Sequence, residues 1–193
     1  MRTTAGSADA DAELVALAKR GDREAFEELF RRHYRQVFAV VFRVLNNPAE
    51  AEDAVQDAFV RAFNGLRGFR GEAAFGTWLC RIAINVALRR AQRTRVPLAS
   101  LSEAGGEAAE SDPPDPVNME ELVHQRAEAG EIRRAVAALP PKHRAVVSLR
   151  YFEGYSCEEI SRVLGCSVGT VWSRLHHAHR KLRERLADLR GEG

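Results

Sequence analysis

YSCEEISRVLGCSVGTVWSRLHHAHRKLRERL, from Tyr155 to Leu186, contains two helix starts in quick succession. Ser156 and Glu159 have the spacing of a capping box, and Ser167 is placed to open a second helix. Between them Gly165 lies in a tight turn, where a residue without a side chain adopts positive φ without strain. Apolar residues recur along both helices: Ile160, Val163, Leu164, Val168, Val171 and Leu175. This spacing predicts a helix-turn-helix.

The second of these helices contains the candidate DNA contacts. An α-helix fits the major groove of B-DNA, where its first turns meet base edges and flanking cations hold phosphates. The candidates for base contact are Ser167, Thr170, Trp172, Ser173, Arg174, His176 and His177. The candidates for backbone contact are Arg180, Lys181 and Arg183. A helical hairpin that packs into a larger all-α core is the alternative interpretation.

The histidines of this helix form no recognisable metal site. His176, His177 and His179 match no zinc-finger spacing with Cys166, and adjacent histidines point about 100° apart on a helix. The sequence also contains no glycine-rich phosphate loop, HExxH or GxSxG. We therefore expect no metal, no cofactor and no enzymatic activity.

The charge of the chain is unevenly distributed. From Arg126 to Arg190, thirteen Lys and Arg stand against seven Asp and Glu, although the whole chain has a formal net charge of only +2. Within this basic part, PKHRAVVSLRYFEG from Pro141 to Gly154 is predicted to be an amphipathic helix that begins with proline and ends with glycine. A local surplus of positive charge favours a polyanionic partner.

The segment before this basic part is acidic. Between Arg95 and Arg126 there is no lysine or arginine, but there are seven carboxylates: Glu103, Glu107, Glu110, Asp112, Asp115, Glu120 and Glu121. The run DPPDP, from Asp112 to Pro116, cannot continue a helix. Residues 96–117 are therefore predicted to form an acidic, flexible linker.

The first half of the chain is predicted to be helical, because apolar residues recur at three- and four-residue spacings from Asp11 to Arg95. A short helix from Glu13 ends at Gly21, and a long one capped by Asp22 runs through Leu45. A third helix, to about Phe63, begins with Asn47 as N-cap, Pro48 at its first position and Glu50 completing a capping box.

The third helix has an apolar and a polar side. The apolar face comprises Ala51, Val55, Ala58, Phe59, Ala62 and Phe63. The other side presents Glu52, Asp53, Gln56, Asp57 and Val60. This side is either a surface for a partner or a solvated face that keeps the helix soluble.

A glycine-rich loop, GLRGFRGEAAFGTW from Gly65 to Trp78, follows the third helix. Arginine and aromatic side chains on such a loop suit stacking and charge contact with single-stranded nucleic acid, but Phe69 and Phe75 could equally pack into the core. Helical periodicity resumes from about Thr77 to Arg93. Arginines cluster near the end of this segment, where they favour phosphate and also the helix dipole: Arg89, Arg90, Arg93 and Arg95.

The composition of the 193-residue chain is that of a globular protein, with 45% hydrophobic and 29% charged residues. No stretch has the roughly 18 apolar residues of a membrane helix, and the first residues lack the apolar core of a signal peptide. We therefore expect a cytoplasmic protein. Its three cysteines are far apart and form no CxxC pair, which favours reduced thiols.

Two motif blocks in this order resemble the extracytoplasmic-function group of bacterial sigma-70-type RNA polymerase sigma factors. The resemblance lies in residues 51–63, AEDAVQDAFVRAF, and 69–88, FRGEAAFGTWLCRIAINVAL, and then in residues 139–182. It implies an all-α fold of two small helical domains joined by the acidic linker. Residues 10–95 would form sigma region 2, residues 96–117 the linker and residues 118–190 sigma region 4.

The same resemblance implies roles for particular residues. The β′ clamp helices of core RNA polymerase would be bound by Asp53, Gln56, Asp57 and Val60. The minus-ten promoter element would be melted, and a flipped base captured, by Phe69, Arg70, Gly71, Glu72, Ala73, Ala74, Arg81, Ile82 and Asn85. Trp78 would be either a DNA contact or a core anchor. The minus-thirty-five element would be read by Ser167, Thr170, Trp172, Ser173, Arg174, His176, His177 and Lys181.

The implied partners are core RNA polymerase, promoter DNA and an anti-sigma factor, without membrane insertion of this chain. The second domain would also dock on the polymerase β flap. Trp172 departs from the family pattern because this position is often basic, and His176 and His177 stand where aromatic residues or arginine are frequent. These departures leave the promoter sequence open.

Two rival functions are weighed against this one. An ordinary helix-turn-helix activator or repressor would bind duplex DNA as a dimer and would need no polymerase. A protein-interaction module would use its helices without touching DNA. The activator or repressor leaves the first domain's motifs and the acidic linker unexplained.

Overall fold

The computed structural model describes residues 5–93 and 130–189, and all regular elements in these two ranges are helical. The first range contains α1 (Ala5–Lys19), α2 (Arg23–Leu45), α3 (Pro48–Gly65), a 3-10 turn (Leu66–Gly68) and α4 (Phe75–Arg93). The second contains α5 (residues 130–137), α6 (Pro141–Val147), a π-helical turn (Ser148–Phe152), α7 (Cys157–Leu164) and α8 (Val168–Leu189). The all-α fold class is confirmed.

The helix ends in the first range follow from local side-chain chemistry. The Asp22 carboxylate accepts a hydrogen bond from the Ala25 amide at 3.1 Å, and the Asn47 side chain accepts one from the Glu50 amide at 3.1 Å. These bonds satisfy amides that have no partner inside the helix. The predicted boundaries are partly wrong: α1 begins at Ala5, well before Glu13, and α4 begins at Phe75, two residues before Thr77.

The core of the first range lies between α2, α3 and α4, with α1 packed across α2. Its fully buried side chains include Leu29, Val40, Val41, Val55, Leu79 and Ile84. Each such side chain contributes about 1.5–3 kcal/mol through removal of apolar surface from water. Phe63 differs from its prediction, because it remains 47% exposed while its ring contacts that of Phe26, with centroids 4.9 Å apart.

The helix-turn-helix has the predicted geometry. The Ser156 hydroxyl accepts from the Glu159 amide, and the Glu159 carboxylate accepts from the Ser156 amide, which completes the capping box. Gly165 adopts φ of 61°, so the chain turns between α7 and α8 without Cβ strain. Ile160, Val163, Val171 and Leu175 are buried between the helices.

The helix predicted from Pro141 to Gly154 is not a uniform α-helix. It changes to a π-helical turn at Ser148–Phe152, closed by a bond from the Glu153 amide to the Ser148 carbonyl at 3.2 Å. Gly154 then takes φ of 73°. The wider turn places Glu153 and the following Tyr155 against the first range of helices.

The two helical ranges pack against each other. α2 and α4 contact α6, α7 and the π-helical turn, and one cluster of buried apolar side chains continues across the contact. The Glu153 carboxylate accepts hydrogen bonds from Gln36 at 2.9 Å and Arg43 at 3.0 Å, and the Arg43 guanidinium lies 4.3 Å from the ring centroid of Phe152. We call this contact the interdomain interface. The predicted linker, residues 96–117, lies outside the described residues.

Candidate nucleic-acid interface

α3 presents the predicted polymerase-binding residues on one face. At 3.6 residues per turn, Asp53, Gln56, Asp57 and Val60 fall within an arc of about 100°. Asp53 and Gln56 are exposed, Asp57 is half-buried, and Val60 is 58% exposed. A single exposed valine among polar residues is ordinary on a protein surface, so the choice between a partner surface and a solvated face stays a prediction.

Both carboxylates of this face already have cationic neighbours. Arg90 of α4 lies 3.5 Å from the Asp53 carboxylate, and Arg61 donates to Asp57 at 3.1 Å. Exposed ion pairs of this kind contribute about 0–1 kcal/mol each. A docking partner that offers its own cations can therefore replace Arg90 and Arg61 at little cost.

The loop between the 3-10 turn and α4 presents its middle to solvent and both of its ends to protein. The side chains of Arg70, Glu72 and Ala74 are exposed, as is Gly71, and Ala73 is half-buried. Phe75 is 3% exposed and belongs to the core.

The aromatic ends of the loop meet Trp78. The half-buried Phe69 ring lies against Trp78, with centroids 4.9 Å apart, and Phe75 lies 5.8 Å from the same ring. Of the two roles considered for Phe75, contact with nucleic acid or packing in the core, Phe75 has the second. Phe69 and Trp78 support each other at the edge of the core and keep part of their surface accessible.

α4 continues the surface that the loop begins. Trp78, whose amide donates to the Ala74 carbonyl at 3.1 Å, shares a helix face of about 100° with Arg81, Ile82 and Asn85. Arg81 is exposed, whereas Ile82 and Asn85 are half-buried. The face combines a cation, an apolar side chain, an aromatic ring and an amide that can pair with a base edge through both of its groups.

The arginine cluster lies at the end of the same helix. Arg89 and Arg93 are exposed, and Arg90 is half-buried beside Asp53. Together with Arg61 they border an open groove between α3 and α4. Arg95 lies outside the described residues.

Two residues that support the loop were missed by the sequence reasoning. Lys19 of α1 contacts Phe69, fifty positions away, and His33 of α2 contacts Phe75 and Gly76 at the start of α4. Neither residue belongs to a motif, because the contacts depend on how α1 and α2 pack beneath the loop.

α8 exposes the predicted minus-thirty-five residues over a wide arc. Its buried stripe consists of Val171, Leu175 and Ala178. On the remaining surface Trp172, which is 60% exposed, and Arg174 lie about 200° apart around the helix axis, measured across the exposed side. Ser173 and His177 lie between these two flanks. If α8 enters a DNA groove with its exposed side first, these two residues are therefore at the centre of the contact.

Several of these side chains already make hydrogen bonds within the protein. The Ser167 hydroxyl accepts from the Thr170 amide at 3.1 Å, which caps α8, and it also bonds the Thr170 hydroxyl at 2.8 Å. Arg174 is half-buried, with Nη1 3.7 Å from the Cys166 sulfur. The His177 Nδ1–H donates to the Ser173 carbonyl at 2.7 Å, which directs Nε2 away from the helix axis.

The α8 surface is electropositive. The pKa of His143, whose ring lies 6.3 Å from that of His177, is lowered first by burial and then by the positive charges of Lys181, His177 and Arg174. His176 and Lys181 are exposed. Among the described residues, no group of three or more His, Cys, Asp or Glu side chains is arranged to hold a metal ion.

Comparison with known proteins places this arrangement in a family. Residues 29–96 match Sigma-70 region 2, and residues 129–182 match Sigma-70, region 4. The chain is 37% identical to the ECF RNA polymerase sigma factor SigM of Mycobacterium tuberculosis, over 94% of this chain and 85% of SigM. It is 34% identical to the ECF RNA polymerase sigma-E factor of Escherichia coli, over 93% of this chain and 95% of that one.

A solved structure agrees with these matches. CnrH, in complex with the cytosolic domain of CnrY, superposes with a TM-score of 0.66 at 28% identity, covering 93% of this chain and 99% of CnrH. Fold and sequence thus define a sigma-70-type transcription initiation factor. Within that class, the chain belongs to the extracytoplasmic-function group of RNA polymerase sigma factors. Within the described ranges, no helix is long and apolar enough to cross a membrane.

Proposed function

We propose that the α3 face defined by Asp53, Gln56, Asp57 and Val60 docks on the β′ clamp helices of core RNA polymerase. The common orientation of these four residues and the exposure of Asp53, Gln56 and Val60 support this role. The ion pairs of Asp53 and Asp57 are weak, so both carboxylates can exchange their present arginine partners for cations of the polymerase. This sigma factor catalyses no reaction itself and works in the cytoplasm, where it lends promoter recognition to the polymerase.

Promoter opening is assigned to the loop at residues 69–74 and the adjoining face of α4. Arg70, Gly71, Glu72, Ala73 and Ala74 surround a flipped base of the minus-ten element, and Phe69 supports the loop from below. Arg81, Ile82 and Asn85 supply the neighbouring charge, apolar contact and base-edge contact. Opening follows because these groups bind melted DNA better than paired DNA.

The helix-turn-helix reads the minus-thirty-five element in duplex form. Ser173 and His177 are central on the exposed side of α8, with Trp172 and His176 on one flank and Thr170, Arg174 and Lys181 on the other. Ser167 acts through the α8 cap. The second domain also docks on the β flap.

The proposed role of the linker rests on its charge, and the proposed anti-sigma partner rests on similarity to a solved complex. The seven carboxylates of the region between Arg95 and Arg126 suit a basic channel of the polymerase, where they mimic nucleic acid. CnrH forms a complex with the cytosolic domain of CnrY, and by analogy this chain has an anti-sigma partner.

The test of the function is transcription in vitro with core polymerase and a pool of promoters. Addition of the full chain is expected to select defined start sites, and core polymerase alone selects none of them. If the chain instead gives palindromic footprints without polymerase, the helix-turn-helix repressor is the correct interpretation. Absence of any selected start site would overturn the proposed function.

Asn85→Ala tests the opening surface separately. We expect open-complex formation to fall at least about fivefold, because an amide that pairs with a base edge contributes roughly 1–3 kcal/mol of discrimination. Binding to core polymerase is expected to stay near normal, since Asn85 is not on the α3 face. Gln92→Ala, which removes an amide two turns later on α4, serves as the matched control. Equal loss of opening and polymerase binding would contradict the assignment.

A further inference from the structure

The loop at residues 69–74, which we call the minus-ten loop, is held at its beginning by Lys19, the last residue of α1. The Lys19 ammonium donates a hydrogen bond to the carbonyl oxygen of Phe69 and lies 5.6 Å from the centroid of the Phe69 ring. Lys19 is half-buried, whereas Arg20 beside it is exposed and donates to the Ala16 carbonyl of its own helix. Lys19 and Arg20, the two neighbouring cations at this helix end, therefore make different contacts, and of the two only Lys19 contacts the loop.

The end of the loop is supported by α1 as well, through α2. The buried His33 Nε2 lies 2.8 Å from the Asp11 carboxylate of α1, which is also buried. On its other side the His33 ring packs 5.3 Å from the Phe75 ring. A Cβ at Gly76 would approach His33 Cε1 to 3.0 Å, so the first turn of α4 rests directly on this ring.

The two supports act on one aromatic group. Phe69, at the beginning of the loop, and Phe75, at its end, both contact Trp78, and their rings lie 6.1 Å apart. The exposed residues of the loop lie between these fixed ends. α1 thus holds both ends of the segment, although it precedes the part of the chain, residues 29–96, that matches Sigma-70 region 2.

We propose that Lys19 is a positioning residue for single-strand capture: together with the Asp11–His33 pair it holds the minus-ten loop in its binding conformation before DNA arrives. A loop that is ordered in advance loses less conformational entropy when it closes around a base. The ligand is the unpaired non-template strand of the minus-ten element. This inference rests on the proposed function of the loop, and Lys19 acts through Phe69 without touching DNA.

The first test needs no DNA. Trypsin cleaves after Arg70, in the exposed part of the loop, at a rate that reports how often the loop leaves its folded position. In the full-length free protein, Lys19→Met is expected to speed this cleavage by up to about fivefold, the full effect of losing one partly exposed charge-assisted hydrogen bond when the wild-type loop is mostly closed. Lys19→Arg, which keeps a donor and a charge, is expected to restore slow cleavage. Arg20→Met is the matched control and leaves the rate unchanged. Unchanged cleavage in Lys19→Met would contradict the inference.

The second test uses the holoenzyme with a single-stranded oligonucleotide that contains the minus-ten sequence. For a loop that is either closed or open, the fold-loss of affinity in Lys19→Met multiplied by its fold-gain in cleavage is expected to be about five, because binding follows the closed fraction and cleavage the open fraction. Affinity for core polymerase is expected to stay unchanged. The slope of log affinity against log salt is expected to match that of the wild type. A slope reduced by about 0.7, the contribution of one phosphate contact on a single strand, would show that Lys19 touches DNA directly and would overturn the positioning role.

Asn85→Ala separates the two proposals in the same experiment. If wild-type holoenzyme and Asn85→Ala bind the oligonucleotide equally, the proposed function of the loop and α4 is wrong, whatever Lys19 does. If Asn85→Ala loses affinity and Lys19→Met alters neither affinity nor cleavage, the opening surface stands and the positioning role alone is rejected. If Lys19→Met also unfolds at a lower temperature, the positioning role is decided by comparing Lys19→Met with Lys19→Arg, because Lys19→Arg keeps the hydrogen-bond donor.

Discussion

His33 shows how one side chain can support a functional surface that it does not belong to. It is buried, bonds Asp11 through Nε2, and lies beneath the first turn of α4. A buried imidazole needs such a partner because an unpaired polar nitrogen in the interior costs free energy. Its packing on Gly76 connects the position of α1 to the start of the α4 recognition face.

Gly76→Ala tests this packing, because two effects of opposite sign compete there. Alanine stabilises a helix interior by up to about 1 kcal/mol relative to glycine. The added Cβ, however, would approach His33 Cε1 to 3.0 Å, and overpacking of a fixed ring costs about 1–3 kcal/mol. We expect net destabilisation, measured as a lower midpoint of urea unfolding at constant slope. A raised midpoint would show that the His33 ring moves aside easily.

At the scale of elements, the turn between α7 and α8 sets the direction of the recognition helix. α7 ends at Leu164, the following Gly165 turns the chain with φ of 61°, and α8 begins with the Ser167 cap on Thr170. Both ends are specified by single residues, and the buried side chains Ile160, Val163, Val171 and Leu175 then fix the angle between the helices. Local geometry and packing therefore agree in this motif.

Gly165→Ala is expected to destabilise the second domain by about 1–2 kcal/mol, because an L-residue in the left-handed region brings Cβ against the backbone. No neighbouring atom lies within 4 Å of a Cβ at this position, so backbone strain is the only cost. Gly169→Ala, in the first turn of α8, is the control and should be neutral or stabilising. Chemical denaturation of both variants measures the difference. Equal stabilities would show that the turn relaxes to another conformation.

At the scale of the whole molecule, the described residues form two helical units joined by the interdomain interface. Glu153, with a side chain only 10% exposed, bonds Gln36 and Arg43 of α2. Tyr155 lies against Thr77 and Cys80 of α4, and burial raises its pKa well above the ordinary value. Each recognition surface is thus held relative to the other by residues of α2, α4 and the π-helical turn.

Cys80 reports whether this interface is closed. Burial, followed by the nearby Glu153 carboxylate, raises the pKa of the Cys80 thiol from 9.0 to about 12. Below pH 9.0 the thiol is protonated in the open and the closed state. Above it only the open state ionises, so the closed state loses stability as the pH rises. Because the thiolate is the reactive form, Cys80 is expected to resist alkylation while the interface is closed.

Glu153→Ala removes both hydrogen bonds to α2 and also the carboxylate that helps to raise the Cys80 pKa. The rate of Cys80 alkylation by iodoacetamide at pH 8 is expected to rise by at least roughly tenfold, because the lost charge-assisted contact alone is worth about 1.5 kcal/mol. Peptide mapping by mass spectrometry measures modification at each cysteine, with the half-buried Cys166 as internal reference. Glu158→Ala, an exposed carboxylate on α7, is the control. Cys80 reacting as fast as Cys166 in the wild type would contradict a closed interface.

The local signals in the sequence predicted much of the fold because they act over three or four residues. The N-caps Asp22 and Asn47, the Ser156–Glu159 capping box and the turn at Gly165 are all present as expected. The α3 face could be grouped from helical spacing alone. The π-helical turn could not, because packing against other helices sets its geometry. The start of α1 could not either, because residues 5–12 contain no large apolar side chain from which a helical period could be recognised.

The amino-acid order was sufficient for the all-α class, the helix-turn-helix and the grouping of candidate residues by face, since hydrophobic period and capping chemistry are local. Contacts between residues far apart in the sequence could not be predicted from the amino-acid order. Lys19 with Phe69, Asp11 with His33, and Arg43 with Glu153 join residues separated by 50, 22 and 110 positions. Such pairs exist because helices pack at particular angles, and those angles result from the summed burial of many side chains rather than from any one motif.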